Sequence, residues 1–319
     1  MARLRRRRFH SEAATRRTEP STATLGPGML FIALAGLLIA GCSTRSTVTG
    51  DGSSTVFPIA EAVAEEFLTS QSDIDVVVGI SGTGGGFQRF CAGEVDFVNA
   101  SRAIEESEVE TCAEEGIEAV EFQIAFDGLA IIANPAADFV DCLLVEELQR
   151  IWEPGSEISN WNEVRPEWPD QALALYGPDT DSGTFDYFTA AIVGEQDLSR
   201  PDYTASADDN VLVQGIAGDE GGFGYFGFAF YEQNAEALRL IAVDNGSGCV
   251  LPSRETILDG TYDPLSRPLF VYVRSDALAR PEVAAFMRFY LTEGGPLADE
   301  VGYVAATDEI YQDGLGRIP

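Results

Sequence analysis

Three glycine-rich loops carry the residues best suited to chemistry in this sequence. They are 50–58 (GDGSSTVFP), 81–87 (SGTGGGF) and 177–185 (GPDTDSGTF), and each sets Gly beside Ser or Thr at the expected start of a helix. Free backbone N–H groups and hydroxyls then point outward, with the positive end of the helix dipole behind them. Gly lets the backbone come close to a ligand. This is chemistry for gripping an oxyanion. One such loop is also what an N-cap and a turn require; three in one chain are harder to assign to capping alone. Positive charge is expected from Arg102, which ends 96–102 (DFVNASR). A strand ending in Ser-Arg brings the guanidinium to the same edge, and its planar fork suits phosphate oxygens. Taken alone, Arg102 would serve equally as a surface ion-pair partner. Arg89, in the helix after the second loop, is the weaker choice.

The absences narrow the chemistry further. The only His is His10, and all 20 basic residues are Arg. A Ser-His-Asp or Cys-His mechanism and a His-ligated metal need an imidazole. A Walker A loop, a Schiff base and a Ser-Lys pair need Lys. A hydrolase working through Ser54 or Ser182 would have only carboxylates and Tyr as base. No calcium-loop pattern is present, and the Cys spacings do not match a zinc site, so neither metal nor cofactor is expected. From residue 42 onward 13 Arg face 50 Asp and Glu, a formal charge of −37. Such a field repels nucleic acid.

The elements that must position these loops alternate. Strands are expected at 75–80, 128–133, 173–176 and 270–273, and helices at 61–68, 145–151, 185–193 and 281–291. That order points to an α/β fold with mostly parallel sheets. Ahead of it, an Arg-rich stretch precedes an apolar run at 29–40, too short for the roughly 20 residues of a membrane span. This is the layout of an export signal over 1–41. Residues 38–42 (LIAGC) resemble the lipobox of bacterial lipoproteins, which makes Cys42 the expected lipidation site. Ser/Thr-rich 42–50 reads as a tether. Four further cysteines, Cys91, Cys112, Cys142 and Cys249, suggest two disulfides in an exported protein. Three pairings are possible; Cys91–Cys112, closing a local loop, with Cys142–Cys249 is favoured.

Six segments in order resemble the phosphate-binding proteins of bacterial phosphate ABC importers. They are 50–59 (GDGSSTVFPI), 81–102 (SGTGGGFQRFCAGEVDFVNASR), 126–135 (FDGLAIIANP), 158–168 (ISNWNEVRPEW), 176–188 (YGPDTDSGTFDYF) and 221–231 (GGFGYFGFAFY). The resemblance implies a type II periplasmic-binding-protein fold. Two α/β lobes, 51–130 with 250–319 and 131–249, would be joined by crossing strands with the anion between them. It implies binding through Ser54, Thr55, Thr83, Ser182, Gly183 and Thr184. The sequence departs from the family pattern at Arg102, where Asp is frequent, and at Pro178, where Arg is frequent. A carboxylate that accepts the phosphate proton would reject sulfate, which carries none. Asp127 is the residue expected in that role, with Asp181 second. The implied activity is capture of inorganic phosphate by an exported, lipid-anchored monomer and delivery to membrane permease subunits, without catalysis. Sulfate, molybdate or phosphonate as ligand, a phosphate-ester hydrolase and a structural surface lipoprotein are the rival readings.

Overall fold

The computed structural model describes residues 45–180 and 182–319. The expected signal, Cys42 and Asp181 lie outside the described residues. The chain opens with β1 (Ser46–Gly52), α1 (Phe57–Ser70), β2 (Ile74–Val78), α2 (Gly82–Cys91), β3 (Phe97–Ala100) and α3 (Glu106–Glu114). β1 lies between β2 and β3, parallel to both. The expected tether is therefore corrected from residue 46 onward. Thr47, Val48 and Thr49 are β-branched and favour a pleated strand, and Val48 is buried in the core.

Next come β4 (Ala119–Ala133), β5 (Cys142–Leu144), α4 (Val145–Trp152), α5 (Trp161–Val164), β6 (Ala174–Pro178) and α6 (Gly183–Phe188). A π-helical turn, Thr189–Val193, continues α6. β7 (Thr204–Ser206), α7 (Asp209–Gly218), β8 (Gly222–Gly227), α8 (Phe228–Asn234), β9 (Arg239–Asp244) and β10 (Cys249–Val250) follow. The chain closes with α9 (Arg254–Leu258), β11 (Ser266–Arg274), α10 (Ser275–Leu278), α11 (Pro281–Glu300), β12 (Val304–Ala305) and α12 (Asp308–Gly316).

The strands run in the order β2-β1-β3-β11-β4-β8-β6-β7. β4 joins the two halves of this path. Up to Gly128 it pairs with β11, and from Leu129 it pairs with β8. Gly128 suits the handover: a Cβ there would stand 2.5 Å from Ile257 Cδ1. From Ile124 to Ala133 every β4 residue is buried, which accounts for the nearly unbroken apolar run in its sequence. The expectation of mostly parallel pairing is corrected. β4 and β11 pair antiparallel with each other, and β3, β8, β9 and β12 pair antiparallel with one or other of them. Parallel pairing is kept by β1 with β2 and β3, by β6 with β7 and β8, and by β5 with β9.

The helices bury one stripe each. α1 has Pro58 in its first turn, where the missing N–H costs nothing, and buries Ile59, Ala60, Val63 and Phe67. Phe67 meets Phe286 of α11 edge to face at 5.4 Å. In the second half of the path Trp152, Phe188 and Tyr225 pack together, the last two stacked at 3.6 Å. Cys91 is bonded to Cys112 and Cys142 to Cys249, the favoured pairing. No described helix is long and apolar enough to cross a membrane.

Candidate functional site

Parallel strands end at one edge, so the loops that follow them meet. The turn after β1 supplies Ser53, Ser54 and Thr55, and the turn after β2 supplies Ser81 to Gly85. The end of β3 supplies Ser101 and Arg102. With Asp186 and Ala190 from α6 and its π turn, Gln196, and Arg267 from β11, they line a cavity of about 360 Å³. Open α/β sheets bind ligands at this edge.

A buried carboxylate holds the first two loops in register. Asp51, at 3% side-chain exposure, accepts from Gly52 N at 2.7 Å, from Ser81 Oγ and from Arg89 Nη1. Arg89 thus braces the loops from behind and does not line the cavity. The loops also need Gly where they touch: a Cβ on Gly86 would stand 2.5 Å from Gly52 Cα. Thr83 Oγ1 accepts from Ser101 N at 3.2 Å and pairs with its hydroxyl, which joins the second loop to the end of β3.

Two guanidinium groups reach the cavity. Arg102 forms a two-pronged bond to Glu108, 2.8 Å on each arm, and its side chain is 37% exposed. Arg267 was not expected from the sequence. It stands opposite Asp127 in the β11–β4 ladder, donates to Asp127 Oδ2 at 3.1 Å and to Thr55 Oγ1 at 3.1 Å, and lies 3.8 Å from the centre of the Tyr187 ring. An Arg near the start of a strand whose middle is apolar, level with a buried Asp, was the available signal. Seeing it requires the strand register.

Asp127 is 1% exposed and lies behind Arg267, off the cavity wall. Burial pushes its carboxyl upward while the charge and hydrogen bond of Arg267 hold it down, with a net rise. Asp186, also missed, is the one carboxylate that lines the cavity among the described residues. It accepts from Ser54 Oγ at 3.1 Å. Its pKa is raised to about 6, first by burial and then by a hydrogen bond and charge shared with Asp197; Ser54 and Arg267 pull the other way. In the sequence Asp186 reads as an ordinary acid of a first helical turn.

Ser182, Gly183 and Thr184 come to the first loop but not to the cavity wall. Ser182 Oγ caps Thr184 N at 3.2 Å, and Gly183 O accepts from Thr55 Oγ1 at 3.4 Å. They line an adjoining cavity of about 490 Å³ on the far side of Ser54, with Asp208 and Asp209 and without a guanidinium among the described residues. Burial, then the charge of Asp208, raises the Asp209 carboxyl to about 6. Of the two cavities, the one lined by Arg102 and Arg267 is the better suited by charge to an anion.

The arrangement has counterparts among known proteins. Residues 39–293 match the family described as the PBP superfamily domain. Protein SphX of Synechocystis sp. is 47% identical over 300 residues, 92% of this chain and 89% of that protein. The chain belongs to the PBP superfamily, in the branch that holds SphX and PstS. Phosphate-binding protein PstS of Staphylococcus saprophyticus is 41% identical over 273 residues, 85% of this chain and 84% of the relative. A crystal structure described as a possible phosphate binding protein from Planctomyces limnophilus superimposes with a TM-score of 0.81 at 46% identity, over 86% of this chain and 98% of that one. The expected periplasmic-binding-protein fold is thereby shown for this branch member.

Proposed function

We propose that this chain captures inorganic phosphate outside the cytoplasmic membrane and hands it to an ABC importer, without catalysing a reaction. The observation that carries this reading is the cavity itself. Separate loops bring hydroxyls and Gly-rich backbone to one space, and two guanidiniums stand beside them. Relatives covering most of the chain are named phosphate-binding proteins.

Phosphate is held by Ser54, Thr55, Thr83 and Arg102, joined by Arg267. Ser182, Gly183 and Thr184 engage from the rim when the lobes 51–130 with 250–319 and 131–249 close about β4, a hinge motion driven by tighter binding to the closed form. Asp127 moves one step back from its expected role: it fixes Arg267 rather than reading the ligand. Asp186 takes the acceptor role, since an ionised carboxylate accepts from protonated phosphate and repels sulfate. The protein works as a monomer tethered through acylated Cys42, and the permease subunits are its partners. Calorimetry with phosphate and with sulfate tests the reading. Saturable one-to-one binding of phosphate with at least a hundredfold preference over sulfate is expected, and absence of phosphate binding would overturn it.

A further inference from the structure

The helix α9 sits on the point where β4 passes from one half of the sheet path to the other, with Ile257 packed against Gly128. Arg254, at the start of that helix, reaches two acids at once. Its Nε donates to Glu232 Oε2 of α8 at 2.9 Å, and its Nη2 lies 2.7 Å from the same oxygen. Its Nη1 donates to both oxygens of Asp299 in α11, at 3.1 and 3.2 Å. Glu232 belongs to the proposed lobe 131–249 and Asp299 to the lobe 51–130 with 250–319, so one guanidinium holds a carboxylate of each. Asp299 is itself fixed to the crossing strand: its Oδ1 accepts from Ala305 N of β12 at 3.0 Å, and β12 pairs with β4. The two lobes pack closely beside the clasp. A Cβ on Gly227 would stand 2.8 Å from Gly302 O, and one on Gly302 would stand 2.7 Å from the Phe230 ring.

We infer that Arg254 is a positioning residue for phosphate capture, a clasp beside the crossing strand that favours the closed arrangement of the lobes. It lines neither cavity of the cleft. The clasp is made in a structure whose facing loops already touch, Ser54 Oγ with Asp186 at 3.1 Å and Thr55 Oγ1 with Gly183 O at 3.4 Å. Rotation of one lobe away from the other carries Glu232 from Arg254, and an ion pair this short tolerates little displacement. Without the guanidinium, Glu232 and Asp299 face each other as like charges across the seam. From residue 42 onward 50 acids against 13 Arg already push the lobes apart. Half-exposed ion pairs are individually weak, so the clasp shifts a population rather than locking it. Apparent affinity follows the fraction of the binding-competent form. The inference rests on the phosphate reading of the cleft.

Stopped-flow kinetics, calorimetry with inorganic phosphate and small-angle scattering test it on the purified protein. Arg254→Met should speed phosphate dissociation about fivefold, leave association within about twofold and weaken affinity to match. Glu232→Gln removes the crossing arm alone and should act in the same direction. Joining the two substitutions should bind phosphate no worse than Arg254→Met, because the facing like charges are then gone; two merely structural losses would add. Without phosphate, scattering should give Arg254→Met a larger radius of gyration than the wild type, and saturating phosphate should bring the two radii together. Unchanged dissociation in both single variants, additive losses in the double variant, or equal radii without phosphate would overturn the inference. If the wild type fails to bind phosphate, the reading on which the inference rests falls instead, and the ligand-free radii still decide whether Arg254 holds the lobes together.

Discussion

Asp186 has to be ionised to act purely as a hydrogen-bond acceptor toward protonated phosphate, and its pKa of about 6 sets the window in which it can. As pH falls through 6 the carboxyl becomes a donor, and the preference for phosphate over sulfate should fall with it. Competition titrations at pH 7.5 and pH 5 check this, and an unchanged ratio would remove Asp186 from the role. Stability has the opposite sign. The folded state binds this proton more tightly than the unfolded chain does, so Asp186 costs stability above pH 6, and the cost is relieved as pH falls toward 4. The side chain is only partly buried, so solvent screening limits the cost to about 1 kcal/mol. Asp186→Asn should therefore raise the melting temperature slightly at pH 7.5 while reducing discrimination. Asp127→Asn should do the reverse. It leaves the phosphate-to-sulfate ratio unchanged, because Asp127 is off the cavity, but lowers affinity for both anions by freeing Arg267. Arg267→Ala leaves Asp127 buried without its partner, and such losses cost about 3–5 kcal/mol. Arg102→Ala should weaken phosphate at least tenfold, about 1.4 kcal/mol.

At the scale of elements, α2 can approach β1 and β3 only because Gly86 has no side chain. Gly86→Ala should lower the melting temperature by several degrees and weaken phosphate, since the contact is with the Gly52 backbone and cannot rotate away. Gly218→Ala, at the end of α7 with open space around it, is the control and should be neutral or mildly stabilising. The loops after β1, β2 and β6 were legible because Gly, Ser and Thr before a helix have a local meaning. Arg267 was not, because its significance depends on Asp127 lying across from it, 140 residues away in the chain. The strand residues 46–50 read as a tether because Ser and Thr content outweighs the β-branched Thr47-Val48-Thr49 run. The π turn was invisible for a similar reason: 185–193 has ordinary helical spacing, and only the closing bond from Gly194 to Thr189 reveals the wider pitch. Ser182 to Thr184 were identified as one loop, yet the sequence could not say which side of Ser54 they would face.

For the whole molecule, charge and function pull in opposite directions. The −37 carried from residue 42 onward slows the approach of a dianion, so screening it should speed capture. Stopped-flow association with phosphate should show a rate that rises between about 20 and 200 mM sodium chloride, spanning a severalfold change in screening length. A falling rate would mean that the local potential of Arg102 and Arg267 dominates at long range. The bond between Cys142 and Cys249, separated by 107 residues, encloses every element from α4 to β9 in one covalent ring. A protease that nicks an exposed turn within that ring releases no fragment. The clipped protein should migrate as a single band on a non-reducing gel and fall into two pieces only after thiol treatment, so damage on the ligand-closing side is survivable for as long as the surroundings stay oxidising.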